Sequence, residues 1–354
     1  MIKVGSDFSG VGAFNQALIR LGIKYKEVFA CDMDKYARQT FIENYGEPEY
    51  YPTNVYEREI PKESLDVYMT SPPCQAFSMA GKRLGKDDKR GILFFNSHEF
   101  IQVNKPRFFI FENVKGLLSD DNGNTFNEWV NMLGGKSVNG LPVLFPYEES
   151  VPYHLYWKVL NAKEHGIPQN RERIFLIGIR DDKDNTFRFP VEEHLTKRLK
   201  DILEDNVDQK YFLSDNTINT LVNNQKFNKY KPIENTQTES SCITANCGKV
   251  ANYNNYLKIG DYRTDEGFRW RQDGNSPCIM ASMRDKWNDK FTAQNPPITK
   301  NGYKIRRLTP RECFRLMDFP DTFTWTVSDS QAYKQAGNSI VVNVLYKILK
   351  NLPL

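Results

Sequence analysis

The chain has 354 residues, 40% hydrophobic and 26% charged, with 21 Gly and 18 Pro, a balance that excludes collagen-like, coiled-coil and wholly disordered classes. The length exceeds what one hydrophobic core usually serves and predicts about two lobes, the second of them small. A net charge of +4 is too weak to declare a polyanion partner, but residues 196–306 hold 18 Lys and Arg against 13 Asp and Glu, so the excess sits in the second lobe.

The first 190 residues alternate short apolar runs with helix-like stretches, which predicts an α/β fold of parallel strands joined by right-handed crossovers. The candidate strands are Ile2 to Asp7, Glu27 to Cys31, Asp66 to Thr70, Arg107 to Phe111, His154 to Leu160 and Arg173 to Ile179. Between the first two, Ala13, Phe14, Ala17, Leu18 and Leu21 recur at helical spacing and Gly22 supplies a stop, which makes a βαβ unit. From about Val191 the texture turns to Asn, Gln and Lys with short apolar segments, so a second domain starts near there. A weak repeat within it, Ser241 to Asn246 against Pro277 to Ser282, suggests two similar short strands in a small β-rich lobe, with chance as the rival. From Arg306 the sequence is helix-like again, with Pro310 near a helix start and an apolar periodic run from Ile340 to Leu352, so the C-terminal segment is expected to pack back on the first domain.

No apolar run approaches the ~18 residues of a membrane span. The opening Met1 to Gly5 enters strand-like sequence at once, without the regions of a signal peptide, and a cytosolic setting is expected. The six cysteines Cys31, Cys74, Cys242, Cys247, Cys278 and Cys313 contain no CxxC pair. They suit neither a zinc site nor a disulfide scaffold, so each is read as a free thiol and no metal is expected.

Four segments carry chemistry. The first strand runs into DFSGVGAF (7–14), a glycine turn opening a helix, where absent side chains let a ligand approach the backbone. The next strand ends at Asp32, where a doubly wound fold offers a carboxylate to ribose hydroxyls; a plain tight turn is the competing reading. The third strand ends in SPPCQAFS (71–78), two prolines stiffening a loop that projects Cys74 from the carboxyl edge of the sheet, a placement suited to a nucleophile. A cysteine taken at random is more often a small buried hydrophobe. After the strand 108–111 comes Glu112, on the same edge as Cys74 and so a candidate acid. Gln169 to Arg173 then brings the guanidinium groups of Arg171 and Arg173 to that edge, unless they serve as surface ion pairs with Glu172 or Glu164.

These residues resemble the S-adenosylmethionine-dependent DNA (cytosine-5)-methyltransferases. The likeness runs in order through DFSGVGAF (7–14), SPPCQAFS (71–78), GKRLGKDDKRGILFF (81–95), FENV (111–114), HGIPQNRERIFLIG (165–178), IRRLTPRECFRLMDFPD (305–321) and QAGNSIVVNVL (335–345), and is missing only from about 190 to 300, where this family places its variable target-recognition domain. The resemblance implies a doubly wound, Rossmann-like methyltransferase sheet formed by residues 1–190 and 325–354, with a smaller β-rich target-recognition domain and hinge over 191–324.

It also implies roles. Cys74 would attack carbon 6 of cytosine, Glu112 in its protonated form would donate to ring nitrogen 3, and Arg171 and Arg173 would hold the base and its carbonyl oxygen. The cofactor pocket would comprise Phe8, Gly10, Gly12, Asp32, Met33, Asn54, Val55, Pro72, Leu93, Asn338 and Ser339. Two departures stand out: Asn54 and Val55 fall where many members use Asp and Ile, and Ser6 stands where many have Asp, with Asp7 following it.

The target base lies inside duplex DNA and must be flipped out. The loop from Gly81 to Gly91, with Lys82, Arg83, Lys86, Lys89 and Arg90 against Asp87 and Asp88, resembles the family's mobile loop that closes on DNA. For base and phosphate contacts the second lobe offers Arg263, Arg269, Arg271, Arg284, Lys286 and Trp287. Partners implied are double-stranded DNA, no membrane, a monomeric state and a cognate restriction endonuclease as a separate chain, or a solitary enzyme in a bacterial or phage-infected cell. Two rivals remain: the family's transfer-RNA branch, which carries a Cys-Phe-Thr tripeptide that this chain lacks, and a catalytically dead DNA-binding protein, against which the joint presence of Cys74, Glu112, Arg171 and Arg173 argues.

Overall fold

The structure, a computed structural model, describes residues 1–73, 92–182, 186–214 and 304–354, together with the strand segments 233–234, 256–259, 261–263 and 267–269. Its main sheet has eight strands: β1 (Ile2–Asp7), β2 (Tyr25–Cys31), β3 (Val67–Thr70), β4 (Phe108–Val114), β5 (Ser137–Val138), β6 (Leu141–Pro142), β7 (Tyr153–Asn161) and β8 (Glu172–Arg180), in the order β2-β1-β3-β4-β8-β7-β5-β6. The first four run parallel, and the pairing of Asp7 with both Cys31 and Thr70, and of Thr70 with Phe111, lines up their carboxyl ends on one edge.

The expectation of parallel strands throughout needs correction at β7 and β8, which pair antiparallel, as do β4 and β8. The link 162–171 is a short 3-10 turn and loop, too brief for the crossover helix that a parallel return requires. The consequence is functional: the start of β8 meets the ends of β4 and β7, with Arg173 opposite both Val114 and Leu160.

Both faces of the sheet are covered, which is why its strands are continuously apolar rather than alternating. In β4, Phe108 and Ile110 enter one core while Phe109 and Phe111 enter the other. The first core takes Ala13, Phe14, Ala17 and Leu18 from α1 (Ala13–Arg20) and Val344, Leu345, Ile348 and Leu349 from the C-terminal helix Val342–Lys350, so the end of the chain packs beside its beginning. It also takes in Leu199, Ile202 and Tyr211, and Phe314 from the helix Pro310–Leu316. That helix starts on a capping box, with Thr309 Oγ1 accepting from the Glu312 N–H at 3.1 Å, Glu312 Oε2 accepting from the Thr309 N–H at 2.8 Å, and Pro310 in the first turn. The second core holds Phe94, Phe100 and Ile101 from the helix Ile92–Asn104 and Phe126, Trp129 and Leu133 from the helix Asn124–Leu133. Leu21 ends α1 and Gly22 follows at φ +69°, as the sequence pattern predicts.

Beyond the main sheet, β9 (Ile233–Glu234) pairs parallel with β10 (Tyr256–Ile259), β10 pairs antiparallel with β13 (Lys304–Arg307), and β11 (Asp261–Arg263) pairs antiparallel with β12 (Gly267–Arg269). The two repeated segments, 241–246 and 277–282, lie outside the described residues. No helix among the described residues is long and apolar enough to cross a membrane.

Candidate active site

The glycine turn leaves β1 with Phe8 at φ +57°, Gly10 at +54° and Gly12 at +80°, all left-handed. Gly12 is obligatory for space as well as angle, because a Cβ there would lie 2.2 Å from the Tyr45 ring, whereas a Cβ at Gly10 would meet no atom within 4 Å. The carboxylate of Asp32 closes the turn: Oδ2 accepts from the Gly10 N–H and Oδ1 from the Asp34 N–H, both at 2.8 Å. Burial raises its pKa, and the two N–H donors pull it back down. Met33 beside it is 86% exposed.

The other candidate pocket residues come from four segments, at 54–55, 72, 93 and 338–339. Asn54 caps a turn, with Oδ1 accepting from the Tyr56 N–H at 3.1 Å and Nδ2 donating to Glu57 Oε1 at 2.8 Å, while Val55 is buried. Phe8, Leu93 and Val55 share the second core. Pro72 is buried and its carbonyl accepts from Asn113 Nδ2 at 3.2 Å, tying the proline loop to the end of β4. Ser339 is buried at the end of the helix Asp329–Asn338, and Asn338 is exposed.

Glu112 lies within β4 rather than beyond it, because the antiparallel partner β8 extends the ladder to Val114. It is buried, and Arg173 Nε stands 3.2 Å from its Oε1. Desolvation raises the carboxyl pKa, opposed by the charges of Arg173 and Arg171. The two arginines are not equivalent. Arg173 faces Glu112, with Nη1 donating to the Glu172 carbonyl at 2.7 Å, whereas the buried Arg171 donates from Nη2 to the carbonyls of Gly337 at 3.0 Å and Ser339 at 2.7 Å. Glu172, offered by the rival reading as an arginine partner, pairs with Lys115 at 2.8 Å.

Cys74, Lys82, Arg83, Lys86, Asp87, Asp88, Lys89, Arg90, Arg271, Arg284, Lys286 and Trp287 lie outside the described residues. Arg263 and Arg269 fall on the paired strands β11 and β12, opposite Gly267 and Asp261. Among the described residues no group of His, Cys, Asp and Glu could hold a metal ion.

Several contributors escape a reading of the sequence. Gln169 Nε2 donates to the Leu316 carbonyl at 2.7 Å and Asn343 Nδ2 to the His165 carbonyl at 2.6 Å, so the loop before β8 is fastened to the C-terminal segment at three places with Arg171. Their signal was membership of the quoted motifs, but nothing in the sequence names a backbone carbonyl as partner. Asp7 does not take the place of an acid at Ser6. Adjacent strand residues face opposite ways, so Asp7 turns into the second core and Ser6 away from it, its Oγ buried with no hydrogen-bond partner among the described residues.

A sheet with helices on both faces, a glycine turn with a carboxylate across it, and a buried Glu112 paired with a partly exposed Arg173 on the same edge define a class of nucleoside-cofactor enzyme built on a Rossmann-like sheet. The family model of the C-5 cytosine-specific DNA methylases matches residues 2–353, and the chain belongs to that family and is a DNA (cytosine-5-)-methyltransferase. An orphan methyltransferase of Bacillus phage SPR is 32% identical, covering 99% of this chain and 97% of the relative. The type II methyltransferase M.HhaI of Haemophilus parahaemolyticus is 33% identical, covering 98% and 92%. Among solved structures, a methyltransferase of Entamoeba histolytica superposes with a TM-score of 0.71 at 18% identity, covering 99% of this chain and 97% of that one, and the Dnmt2 methyltransferase of S. pombe with 0.67 at 18%, covering all of both. These two likenesses show the fold.

Proposed function

We propose that the chain methylates carbon 5 of a cytosine flipped out of a specific double-stranded DNA sequence, through a covalent adduct at Cys74. The observation that carries this reading is the buried Glu112, its pKa raised by desolvation with Arg173 3.2 Å away, on the edge to which the Pro72 loop leads. A carboxyl that keeps its proton can donate to ring nitrogen 3 as charge builds there, and Arg173 beside it can hold the carbonyl oxygen. Arg171 is then a positioning residue, holding the 337–339 backbone rather than the base.

The Cys74 thiolate forms a bond to carbon 6, and the displaced ring electrons make carbon 5 nucleophilic. S-adenosylmethionine, when bound, would supply the electrophilic methyl group, with S-adenosylhomocysteine as its product. A base, for which water serves, takes the carbon 5 proton, the C–H electrons re-form the ring double bond, and the Cys74 thiolate leaves carbon 6. The candidate residues suit this group chemically: Asp32 would offer a carboxylate to ribose hydroxyls, the Gly10 position is open, Phe8, Val55 and Leu93 share one apolar core, and Met33, Asn54, Pro72, Asn338 and Ser339 would complete the pocket. We place the catalytic domain in 1–190 with 325–354 and the recognition domain and hinge in 191–324. Arg263, Arg269, Arg271, Arg284 and Lys286 of the latter, with Lys82, Arg83 and Arg90, meet DNA. The working form is a metal-free monomer in the cytoplasm of a bacterial or phage-infected cell, alone or beside a restriction endonuclease.

Whole-genome bisulfite sequencing of a methylation-free host expressing the chain, with Cys74→Ser as control, tests this. Protected cytosines in one fixed context, lost with Cys74→Ser, are expected. Full conversion in both samples would sink the DNA reading and point to RNA. A dead binder would form no covalent adduct with 5-fluorocytosine DNA.

A further inference from the structure

The acid at position 7 faces an aromatic core. Asp7 is 1% exposed, Oδ2 accepts from Tyr68 Oη at 2.6 Å, and Oδ1 lies 2.9 Å from Arg58 Nε. The Arg58 guanidinium sits 4.6 Å from the ring centre of Phe100 and 5.7 Å from that of Phe29, and Nη2 reaches the Asn96 carbonyl at 3.4 Å. Arg58 Nη1 is buried with no hydrogen-bond partner among the described residues, and the Nε contact is an ion pair without hydrogen-bond geometry. Two apolar side chains would fill such a place at less cost, because desolvating both ions offsets much of their attraction. The pair is therefore poorly explained as a stabilising device.

Its position offers another explanation. Asp7 precedes Phe8 and the glycine turn; Arg58 directly follows the turn 54–57, which the Glu57 N–H closes on the Asn54 carbonyl; Asn96 lies one helical turn from Leu93. One guanidinium thus joins three segments that carry the apolar walls of the pocket, Phe8, Val55 and Leu93, all of which pack on the core that surrounds it.

We propose that Asp7 and Arg58 are positioning residues for S-adenosylmethionine, their ion pair setting the spacing between the Phe8 turn and the Val55 and Leu93 walls. This rests on the cofactor assignment made above. The pair holds the pocket at its bound width before the cofactor arrives, which lowers the ordering cost of binding and leaves the methyl-transfer step untouched.

The test uses the full chain, titrated calorimetrically with S-adenosylmethionine and assayed for methyl transfer. Single removal of either partner strands a buried charge, so the informative variants are Asp7→Leu/Arg58→Leu, which removes both, and Arg58→Lys, which keeps the charge but cannot span Asp7 and the Asn96 carbonyl together. For the double variant a cooperative thermal transition is expected, with Kd and KM for S-adenosylmethionine raised about tenfold and kcat at saturating cofactor within about twofold. Arg58→Lys is expected to show the same split at about threefold. Wild-type Kd in either variant, folded, overturns the proposal, as does an equal loss in kcat with Kd unchanged. Failure of the unaltered chain to bind S-adenosylmethionine would instead sink the cofactor assignment, and the proposal with it.

Discussion

Arg306 and Glu312 meet with two N–H···O contacts of 2.6 Å, and the same carboxylate also accepts from the backbone N–H of Glu204 at 2.9 Å and of Thr309 at 2.8 Å. Arg173 and Glu112 meet through one contact of 3.2 Å at the sheet edge. Both carboxylates are buried; the first is saturated by donors on three sides, and burial raises the pKa of the second. Donor count, not residue type, separates a carboxylate fastened on every side from one that keeps room to bond a further group. The saturated pair joins β13 to the helix beginning at Pro310; the sparse pair lies at the sheet edge where we propose that the base is held.

The sharpest way to break this contrast is to neutralise each carboxyl in turn. Glu112→Gln is expected to lower kcat by about 10²–10⁴-fold, with little change in thermal midpoint, because it removes a proton donor from an unsaturated site. Single-turnover methyl transfer measures this, and activity within twofold of the parent would remove Glu112 from the chemistry.

Glu312→Gln is expected to act the other way. It leaves Arg306 buried without its counter-charge, so denaturant unfolding should show a loss of about 3–5 kcal/mol, while the folded fraction retains its kcat. A stability change below about 1 kcal/mol would show the pair to be no more than a surface-type contact.

A smaller effect comes from Glu27, whose carboxyl burial pushes up to about 8 from 4.5, with Asn15 Nδ2 bonded to it. Below 4.5 both folded and unfolded chains hold this proton. Between 4.5 and about 8 only the folded chain does, so this group's contribution to stability is full at low pH and is lost as pH rises through that window. Glu27→Gln should therefore lose less thermal midpoint than the parent between pH 5 and 8.5, by an amount worth about 1–3 kcal/mol at the alkaline end. Parallel melting curves would contradict the assignment. His165, lowered to about 4 mainly by burial, works with the opposite sign and is common to both proteins, so it cancels in the comparison.

The smallest effect is expected at the fastening points of the loop before β8. Asn343→Ala removes the 2.6 Å bond to the His165 carbonyl and should cost about 1 kcal/mol by denaturant unfolding. A loss of activity far exceeding that stability change would show that the loop's register, rather than the fold's stability, depends on this bond.

The sequence by itself determined six of the eight main-sheet strands, though not the two-residue β5 and β6, together with the glycine turn, the helix over 13–20 and the order of the motifs, because these are local: hydrophobic period, a φ that only glycine tolerates well, and caps within a few residues of what they cap. It also placed Asp32 and Glu112 on one edge, since carboxyl ends of parallel strands share a side. Tertiary structure decided the direction of β7 and β8, which turns on how short the link 162–171 is once folded. It separated the two arginines of one motif, sending Arg171 to carbonyls more than 160 positions away and Arg173 to Glu112. It also paired Asp7 with Arg58 through a core that neither residue's neighbours announce. Periodicity reports which face a side chain takes, but the partner of a buried charge is set by whichever donors the packed elements bring within about 3 Å, and that is a property of the assembled core.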